Sequence, residues 1–207
     1  MRLYAHRVEP FDNGLYIIAD DRGDAILIDP SMGEREALAT VREHGLTVLE
    51  VLNTHGHPDH IYANAALKSA TRARLAIHAA DAYRLDPATA PSDRFIAEYP
   101  TSVADDLIAE GPLSFLRDVE LRALHTPGHT EGSTSFYLPQ QGVLFSGDVL
   151  FAGNVGRVDL PGADPKAMEA SLARLAALPP ETRVFPGHGP ATTIGGELRW
   201  LRGFRFA

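Results

Sequence analysis

Six consecutive residues, 55–60, carry three histidines and an aspartate: His55, His57, Asp59 and His60. Imidazole and carboxylate groups are costly to bury without partners, so a folding core gives no reason for this cluster. His55 and His57 are two residues apart and point the same way from an extended chain, whereas Asp59 and His60 follow on the first turn of a helix. Two ligand pairs that project in two directions predict two adjacent metal ions. The alternative is a polar loop whose histidines bind nothing.

Three further groups of this kind lie downstream, each near the end of a short apolar strand: His129 in HTPGHTEGS, Asp148 in LFSGDVLF and His188 in VFPGHGP. An unpaired carboxylate at the end of a buried strand would be destabilising, which favours a cation beside Asp148. A histidine beside a glycine is a weak signal by itself, because most such residues belong to ordinary loops. The recurrence of the pattern at three strand ends favours one common metal site.

Apolar runs separated by turn residues predict the elements that must position these side chains. Strands are predicted at 2–8, 14–20, 24–30, 48–55, 74–79, 119–125, 133–139, 142–148 and 182–188. Helices are predicted at 34–45, 59–70 and 165–178, and a helical excursion with loops at 80–117. Each half of the chain contains a strand-turn-strand unit that ends near an aspartate, Asp29 or Asp148, which indicates two sheets packed between outer helices. The alternative for this repeat is a pair of ordinary hairpins.

The composition restricts the classes of function. The 19 basic and 27 acidic residues give a net charge of -8, which argues against nucleic acid as a partner. The chain has no cysteine, so any metal must bind nitrogen and oxygen. No stretch approaches the ~20 apolar residues of a membrane span, and the first residues, MRLYAHRVEPF, have no apolar run typical of an export signal. We expect a single cytoplasmic domain over residues 1–207 that acts away from membranes; the sequence does not indicate its oligomeric state.

The order of these motifs, HGHPDH, TPGHT, GD and PGHG, resembles the metallo-β-lactamase superfamily over about residues 27–190. The resemblance implies an α/β fold, the αββα four-layer sandwich. It also implies a first metal site of His55, His57 and His129, and a second site of Asp59, His60 and His188, with Asp148 bridging both. The expected cofactors are two divalent ions. Nitrogen and oxygen ligands suit zinc, iron or manganese, and we take zinc as the first expectation.

Within this superfamily, the loop FAGNVGRVDLPGAD at 151–164 resembles the short bacterial glyoxalase-II-like hydrolases. True β-lactamases are disfavoured by the presence of Asp148 and the lack of cysteine and of an export signal. RNA-processing members are disfavoured by the acidic charge balance and the lack of a basic arm. Full-length glyoxalase II carries a C-terminal helical domain that binds glutathione. Fewer than about 20 residues follow the PGHG motif here, so we expect that domain to be missing.

Two residues outside the seven ligand positions have alternative interpretations. Asp29 ends a strand before a proline, where it either orients a ligand histidine or simply starts a turn. Arg157 lies where glyoxalase II has a basic residue that contacts glutathione. By that resemblance Arg157 either binds an anionic group of the substrate or pairs with the nearby Asp159.

The resemblance and the ligand set together predict a thioester hydrolase of the hydroxyacylglutathione hydrolase type. The metals would lower the pKa of a bridging water to about 7, and Asp59 would orient the resulting metal-bound hydroxide for attack on a small-molecule thioester. A thiolate leaves readily, so no strong general acid is needed. The alternative is a persulfide dioxygenase with one iron on His55, His129 and Asp148, a pattern typical of non-haem iron oxygenases. A lesser alternative is a metal-loaded protein without turnover.

Overall fold

The computed structural model describes residues 1–206 and contains a first sheet of six strands, hydrogen-bonded in chain order. These strands are β1 (Arg2–Val8), β2 (Asn13–Ala19), β3 (Asp24–Ile28), β4 (Thr47–Leu52), β5 (Arg74–His78) and β6 (Asp106–Ile108). The first three strands are antiparallel and β3 to β6 are parallel. The carboxyl ends of β3, β4 and β5 therefore lie at the same edge of the sheet.

A second sheet of six strands packs against the first. Its strands are β7 (Gly111–Leu113), β8 (Leu121–His125), β9 (Thr134–Leu138), β10 (Val143–Gly147), β13 (Arg183–Pro186) and β14 (Thr192–Thr193), while β11 (Leu150–Phe151) and β12 (Asn154–Val155) form a separate hairpin. Their order across the sheet is β14-β13-β10-β9-β8-β7. β10 and β13 are parallel, so their carboxyl ends share an edge.

Helices cover the outer face of each sheet. They are α1 (Glu34–Glu43), α2 (Pro58–Ile61), α3 (Asn64–Thr71), α4 (Pro165–Leu175) and α5 (Ile194–Leu201), with a 3-10 helix at Ala79–Leu85. Ala37 and Leu67 of α1 and α3 pack on the first sheet, and Leu172 of α4 packs on the second. Phe136 and Phe145 fill the space between the sheets. This order of helices, sheet, sheet and helices confirms the αββα fold expected from the sequence.

The helix predicted at 59–70 is wrong in one respect, because α2 and α3 are two helices separated at Tyr62 and Ala63. The backbone of Ser31, from the loop after β3, inserts between them. Its N–H donates to the carbonyl of His60 at 2.9 Å, and its carbonyl accepts from the N–H of Ala63 at 2.8 Å. A tertiary contact thus replaces the hydrogen bonds that would continue the helix, and no local pattern could indicate it.

The predicted loops at 80–117 contain the strands β6 and β7, at the edges of the two sheets. Each is three residues long, too short to show alternation of apolar and polar residues. The sequence also gave no signal for α5, whose first turn includes Gly195 and Gly196, since each glycine lowers helix propensity by about 1 kcal/mol. The side chain of Thr193 caps this helix by accepting from the N–H of Gly196. Within residues 1–206, every helix is too short or too polar to cross a membrane.

Glu50 is a buried carboxyl group away from the candidate ligands. It lies in β4 between Ile26 of β3 and Arg74 of β5 in the register of the first sheet, and is 2% exposed. Its Oε1 makes no hydrogen bond within residues 1–206. Burial and the negative charge of Asp106 raise the pKa of Glu50 from 4.5 to about 8. The protonated form is therefore favoured in the folded chain.

This raised pKa predicts how stability varies with pH. Between pH 4.5 and 8 the folded protein binds a proton at Glu50 that the unfolded chain has lost, so the free energy of unfolding falls as pH rises through this window. Glu50→Gln removes the dependence and should raise the free energy of unfolding at pH 8 by about 2 kcal/mol or more, with little change at pH 4.5. Urea unfolding at both pH values measures this. The exposed Glu43→Gln is the matched control, and an equal effect of Glu50→Gln at both pH values would contradict the account.

Candidate metal centre

The candidate ligands meet at the edge where the strands of both sheets end. They follow four strands and one helix turn: His55 and His57 after β4, Asp59 and His60 in α2, His129 after β8, Asp148 after β10 and His188 after β13, and Asp29 lies beside them after β3. Parallel pairing of β3 with β4 and of β10 with β13 places the ends of each pair side by side. The structure thus brings together all seven residues predicted as ligands.

A first group consists of the three imidazoles His55, His57 and His129, whose ligand atoms all lie within 4.8 Å of one another. Nδ1 of His57 and Nε2 of His129 are 2.8 Å apart. All three side chains are buried. Three ring nitrogens that converge in a buried space are the donor set of a tetrahedral site with a fourth position open.

A second group consists of Asp59, His60 and His188, again with ligand atoms within 4.8 Å of one another. Nε2 of His60 is 3.2 Å from Nε2 of His188 and 3.4 Å from Oδ2 of Asp59. His188 and Asp59 are partly exposed, whereas His60 is fully buried. The second group is therefore more open to solvent than the first.

Asp148 lies between the two groups. Its Oδ2 is 3.4 Å from Nε2 of His129 in the first group, and its Oδ1 is 3.4 Å from Nε2 of His60 in the second. The chain can approach this closely because residue 187 is a glycine, and a Cβ at that position would overlap Oδ1 of Asp148. One carboxylate with an oxygen toward each group has the geometry of a bridging ligand.

The chemistry of these groups fits divalent cations. Nε2 of His55 and Oδ1 of Asp148 are buried and make no hydrogen bond within the described part of the chain. Buried polar atoms are rarely left without a partner, and a bound cation would supply one for both atoms. A set of imidazole nitrogens and carboxylate oxygens without thiolate suits zinc, iron or manganese. The first group with Asp148 and the second group with Asp148 would each hold one ion.

The first group is neutral at pH 7. Burial, reinforced by the neighbouring imidazoles, lowers the pKa of His55 and His57 well below 6.5, and burial also lowers the pKa of His129. A neutral imidazole presents a lone pair, which is the form that binds a metal. The first group therefore requires no proton release to bind a cation.

The second group behaves differently because it includes carboxylates. Burial alone would lower the pKa of His60, but Asp59 and Asp148 outweigh it and raise the pKa to about 9. The same carboxylates raise the pKa of His188 to about 11 against the effect of its burial. In turn, despite burial, the positive imidazoles hold the pKa of both aspartates well below the usual range. Protons balance the carboxylates here, and a divalent ion must displace them.

Hydrogen bonds from behind fix the orientation of the ligand rings. Oδ2 of Asp29 lies 3.1 Å from Nδ1 of His60, and Asp29 also accepts from the N–H and hydroxyl of Thr54. Nδ1 of His129 faces the carbonyl of Arg157 at 2.7 Å, and Nδ1 of His188 faces the carbonyl of Phe11 at 2.8 Å. These partners hold each Nδ1–H and leave Nε2 for a metal. Of the two interpretations of Asp29, this contact favours the one in which it orients a histidine.

Two residues of the site were not found from the sequence. The amide of Asn13 donates to Oδ2 of Asp59 at 3.0 Å and lies 3.3 Å from Nε2 of His60. In the sequence, Asn13 precedes Gly14, and this pair signals only a turn. The second residue, Asp81, falls in the segment whose pattern indicated nothing beyond a helical excursion.

Asp81 joins the loops that carry the first group. Its carboxylate is fully buried and accepts from the N–H of Gly56, the hydroxyl of Thr130 and the N–H of Gly132. Gly56 lies between His55 and His57, and Thr130 follows His129. A single side chain therefore sets the distance between the two loops, one from each half of the chain.

Arg157 lies at the mouth of the site. It lines the cleft above the metal centre, which is also lined by Asp59, Asp148 and His188. Its guanidinium makes two hydrogen bonds to the carboxylate of Asp159, at 2.8 and 2.7 Å. The structure therefore contains the pair with Asp159, which was one of the two alternatives. The other alternative, that Arg157 binds an anionic group of the substrate, stays a prediction, and its position at the cleft is compatible with it.

Comparisons with known proteins agree with this geometry. A model of the metallo-beta-lactamase superfamily matches residues 10–188. The probable metallo-hydrolase YqgX of Bacillus subtilis is 33% identical over 88% of this chain and 87% of its own length. The hydroxyacylglutathione hydrolase of Rhodospirillum rubrum is 34% identical over 86% of this chain, and the match spans 62% of that enzyme.

Solved structures show the same similarity. TTHA1623 in a di-iron-bound form is 40% identical, with a TM-score of 0.86 over 95% of this chain and 97% of that one. The B3 metallo-beta-lactamase BLEG-1 is 37% identical, with a TM-score of 0.88 over 96% and 97%. ETHE1 from Myxococcus xanthus is 28% identical, with a TM-score of 0.80 over 98% and 85%.

The position of Asp148 predicts the effect of Asp148→Asn. An amide cannot bridge two cations as a carboxylate does, so the metal content should fall from two ions per chain toward one, and kcat should fall by on the order of a hundredfold or more. Metal analysis after dialysis and circular dichroism together separate metal loss from misfolding. A folded variant with two ions per chain and unchanged kcat would rule out the bridging role.

The hydrogen bonds of Asp81 predict a second result. In Asp81→Asn the amide nitrogen must face a donor, so the free energy of unfolding should fall by about 2–4 kcal/mol. The affinity of the first group for metal should fall by about 10- to 100-fold, because the two loops are no longer held together. Chelator competition and urea unfolding measure the two effects, with the exposed Asp118→Asn as the matched control. Wild-type metal affinity in the Asp81 variant would show that Asp81 does not position the ligands.

Proposed function

This chain belongs to the metallo-beta-lactamase superfamily, and we propose that within it the protein is a thioester hydrolase with two metal ions, of the hydroxyacylglutathione hydrolase type. The observation that carries the proposal is the complete second group. Asp59, His60 and His188 converge as closely as the three imidazoles of the first group, and Asp148 reaches both. A second cation is of direct use in hydrolysis, where one ion polarises the carbonyl and the other helps to generate the nucleophile.

Two divalent ions in these groups would supply a water of pKa near 7 and a Lewis acid for the carbonyl. The residues of the chain do the positioning. Asn13 donates to Oδ2 of Asp59 and keeps that carboxylate turned toward His60 and His188, where it can accept a hydrogen bond from the attacking water. Asp29 and the carbonyl of Phe11 fix the rings of His60 and His188, so the second group presents one arrangement to the substrate.

The cleft above the metal centre suits a thioester. It has a volume of about 340 Å³, and its walls include the apolar side chains Phe11, Phe95, Phe151 and Leu160. A carboxylate at its rim, Asp93, accepts hydrogen bonds from the N–H groups of Phe95 and Ile96, which hold it in its own turn. A thiolate leaves without protonation by a strong acid. A thioester substrate therefore agrees with this cleft, since none of the residues described along its walls is assigned the role of a general acid.

The hydroxyacylglutathione hydrolases of Rhodospirillum rubrum and Cereibacter sphaeroides, 34% and 36% identical, support this proposal. The match spans 62% of each enzyme, and the binding of glutathione by this chain is itself part of the proposal. Zinc is the proposed metal, with iron and manganese as alternatives, and a di-iron form of the similar protein TTHA1623 supports iron among them.

Two other activities have specific support. The likeness to ETHE1 favours the persulfide dioxygenase alternative, in which one iron is held by His55, His129 and Asp148. The likeness to BLEG-1 favours hydrolysis of a β-lactam. Against the β-lactam stands the presence of Asp148 between the two groups. Against the dioxygenase stands the second group, which a single iron would not use.

The proposal predicts that zinc- or manganese-loaded protein releases thiol from S-lactoylglutathione at a rate independent of oxygen. A thiol reagent follows the release in air and under nitrogen, and Asp148→Asn is the matched inactive control. Iron-loaded protein with glutathione persulfide in an oxygen electrode tests the first alternative, and a chromogenic cephalosporin tests the second. Rapid oxygen uptake, or β-lactam cleavage, without thioester cleavage would overturn the proposal.

A further inference from the structure

A second cavity adjoins the cleft above the metal centre. We name it the side chamber; its volume is about 300 Å³, and it lies between the segment 84–95 and the loop 157–161. The two cavities share the walls formed by His57, Asp93, Phe95, Arg157 and Leu160. The side chamber is therefore reached from the face of the first group of ligands, on the side of His57.

The two cavities differ in charge. Three guanidinium groups line the side chamber, those of Arg84, Arg94 and Arg157. Of these only Arg157 also lines the cleft, whose other walls, apart from the metal ligands and Asp93, are mostly apolar. Two carboxylates, Asp93 and Asp159, also line it. The charge available to a ligand depends on which of these groups already have partners.

Two of the three arginines are engaged. Arg157 makes its two hydrogen bonds to Asp159. Arg84 is 2% exposed, and its Nη2 donates to Glu131 at 2.7 Å and to the carbonyl of Pro161 at 3.0 Å. Nε of Arg84 lies 3.5 Å from Oδ1 of Asp81 and makes no hydrogen bond among residues 1–206. The carboxylates of Asp81 and Glu131 thus compensate the charge of Arg84.

Arg94 differs from both. Its guanidinium lies 4.8 Å from the ring centroid of Phe95, and among residues 1–206 no carboxylate forms an ion pair with it. The nearby Asp93 is turned toward the backbone N–H groups of Phe95 and Ile96. Arg94, an exposed residue, therefore presents a fork of N–H donors at the wall of the side chamber, without an ion-pair partner among residues 1–206.

We propose that the side chamber binds a carboxylate on one arm of the substrate, with Arg94 as its principal donor, while the thioester carbonyl lies over the metal centre. This inference rests on the proposed function, since it names the class of thioester. A guanidinium matches a carboxylate with two parallel hydrogen bonds, which gives affinity and orientation together. The arm without charge lies against the apolar walls of the cleft.

The carboxylate can belong to the acyl arm or to the thiol arm, and matched substrates separate the two. S-succinyl- and S-butyryl-N-acetylcysteamine differ only by a carboxylate on the acyl arm. S-acetyl-3-mercaptopropionate and S-propyl thioacetate differ by a carboxylate on the thiol arm. In one pair, zinc-loaded protein should show a KM about tenfold lower for the charged member.

Arg94→Gln should raise that lower KM about tenfold while leaving the KM of the neutral member and both kcat values unchanged. Arg94→Lys keeps the charge but not the fork and should recover part of the difference. Arg22→Ala removes an equal charge from the turn between β2 and β3, at the opposite edge of the first sheet, and should change nothing. Melting temperatures of all variants confirm folding.

Equal KM values within both pairs, or a preference that survives in Arg94→Gln, would overturn the inference. If none of the four thioesters is hydrolysed, calorimetry decides the inference separately, and the proposed function fails only if S-lactoylglutathione is not hydrolysed either. Succinate and butyrate each offer one carboxylate to the metals, but succinate has a second one for the chamber. Tighter binding of succinate that is lost in Arg94→Gln supports the side chamber, and equal binding of the two acids rejects it.

Discussion

Five imidazoles and two carboxylates face one another across a few ångströms, and this crowding governs the rest of the structure. Two of the buried atoms, Nε2 of His55 and Oδ1 of Asp148, find no partner within residues 1–206. Cations can bind to both groups of ligands. Protons compensate only the carboxylates of the second group, where these carboxylates raise the pKa of His60 and His188 to about 9 and about 11. The first group is neutral because burial lowers the pKa of its histidines. A metal ion would therefore bind to the first group without release of protons, whereas it must displace protons from the second group.

The fold holds these groups in place with hydrogen bonds that cross between the two sheets. Asp81, after β5, ties the loop of His55 and His57 to the loop of His129. The hydroxyl of Tyr16 in β2 donates to the carbonyl of Pro186 in β13 at 2.6 Å, two residues before His188. These contacts anchor ligand loops of one half of the chain to the other half, so the ligand geometry depends on the packing of the two sheets. Stability and ligand geometry are therefore coupled.

The sequence was informative wherever function required a chemical type at a strand end. Histidines and aspartates near glycines, after apolar runs, identified the seven side chains that the structure brings together, and the same runs predicted most strands. Local patterns failed where a distant contact decides the structure. Ser31 breaks the helix after Ile61, Asn13 turns toward Asp59, and Asp81 lies in a segment without periodicity. Arg94 belongs to no recognisable sequence motif, and only the cavity that it lines indicates a role in binding.

The central claim is that two cations share Asp148, and anomalous diffraction tests it most directly. Crystals of zinc-reconstituted protein, measured on both sides of the zinc absorption edge, should show two peaks about 3.5–4 Å apart. The carboxylate of Asp148 should lie about 2.0–2.2 Å from both. A single peak, or two peaks of which only one is bound by Asp148, would contradict the account.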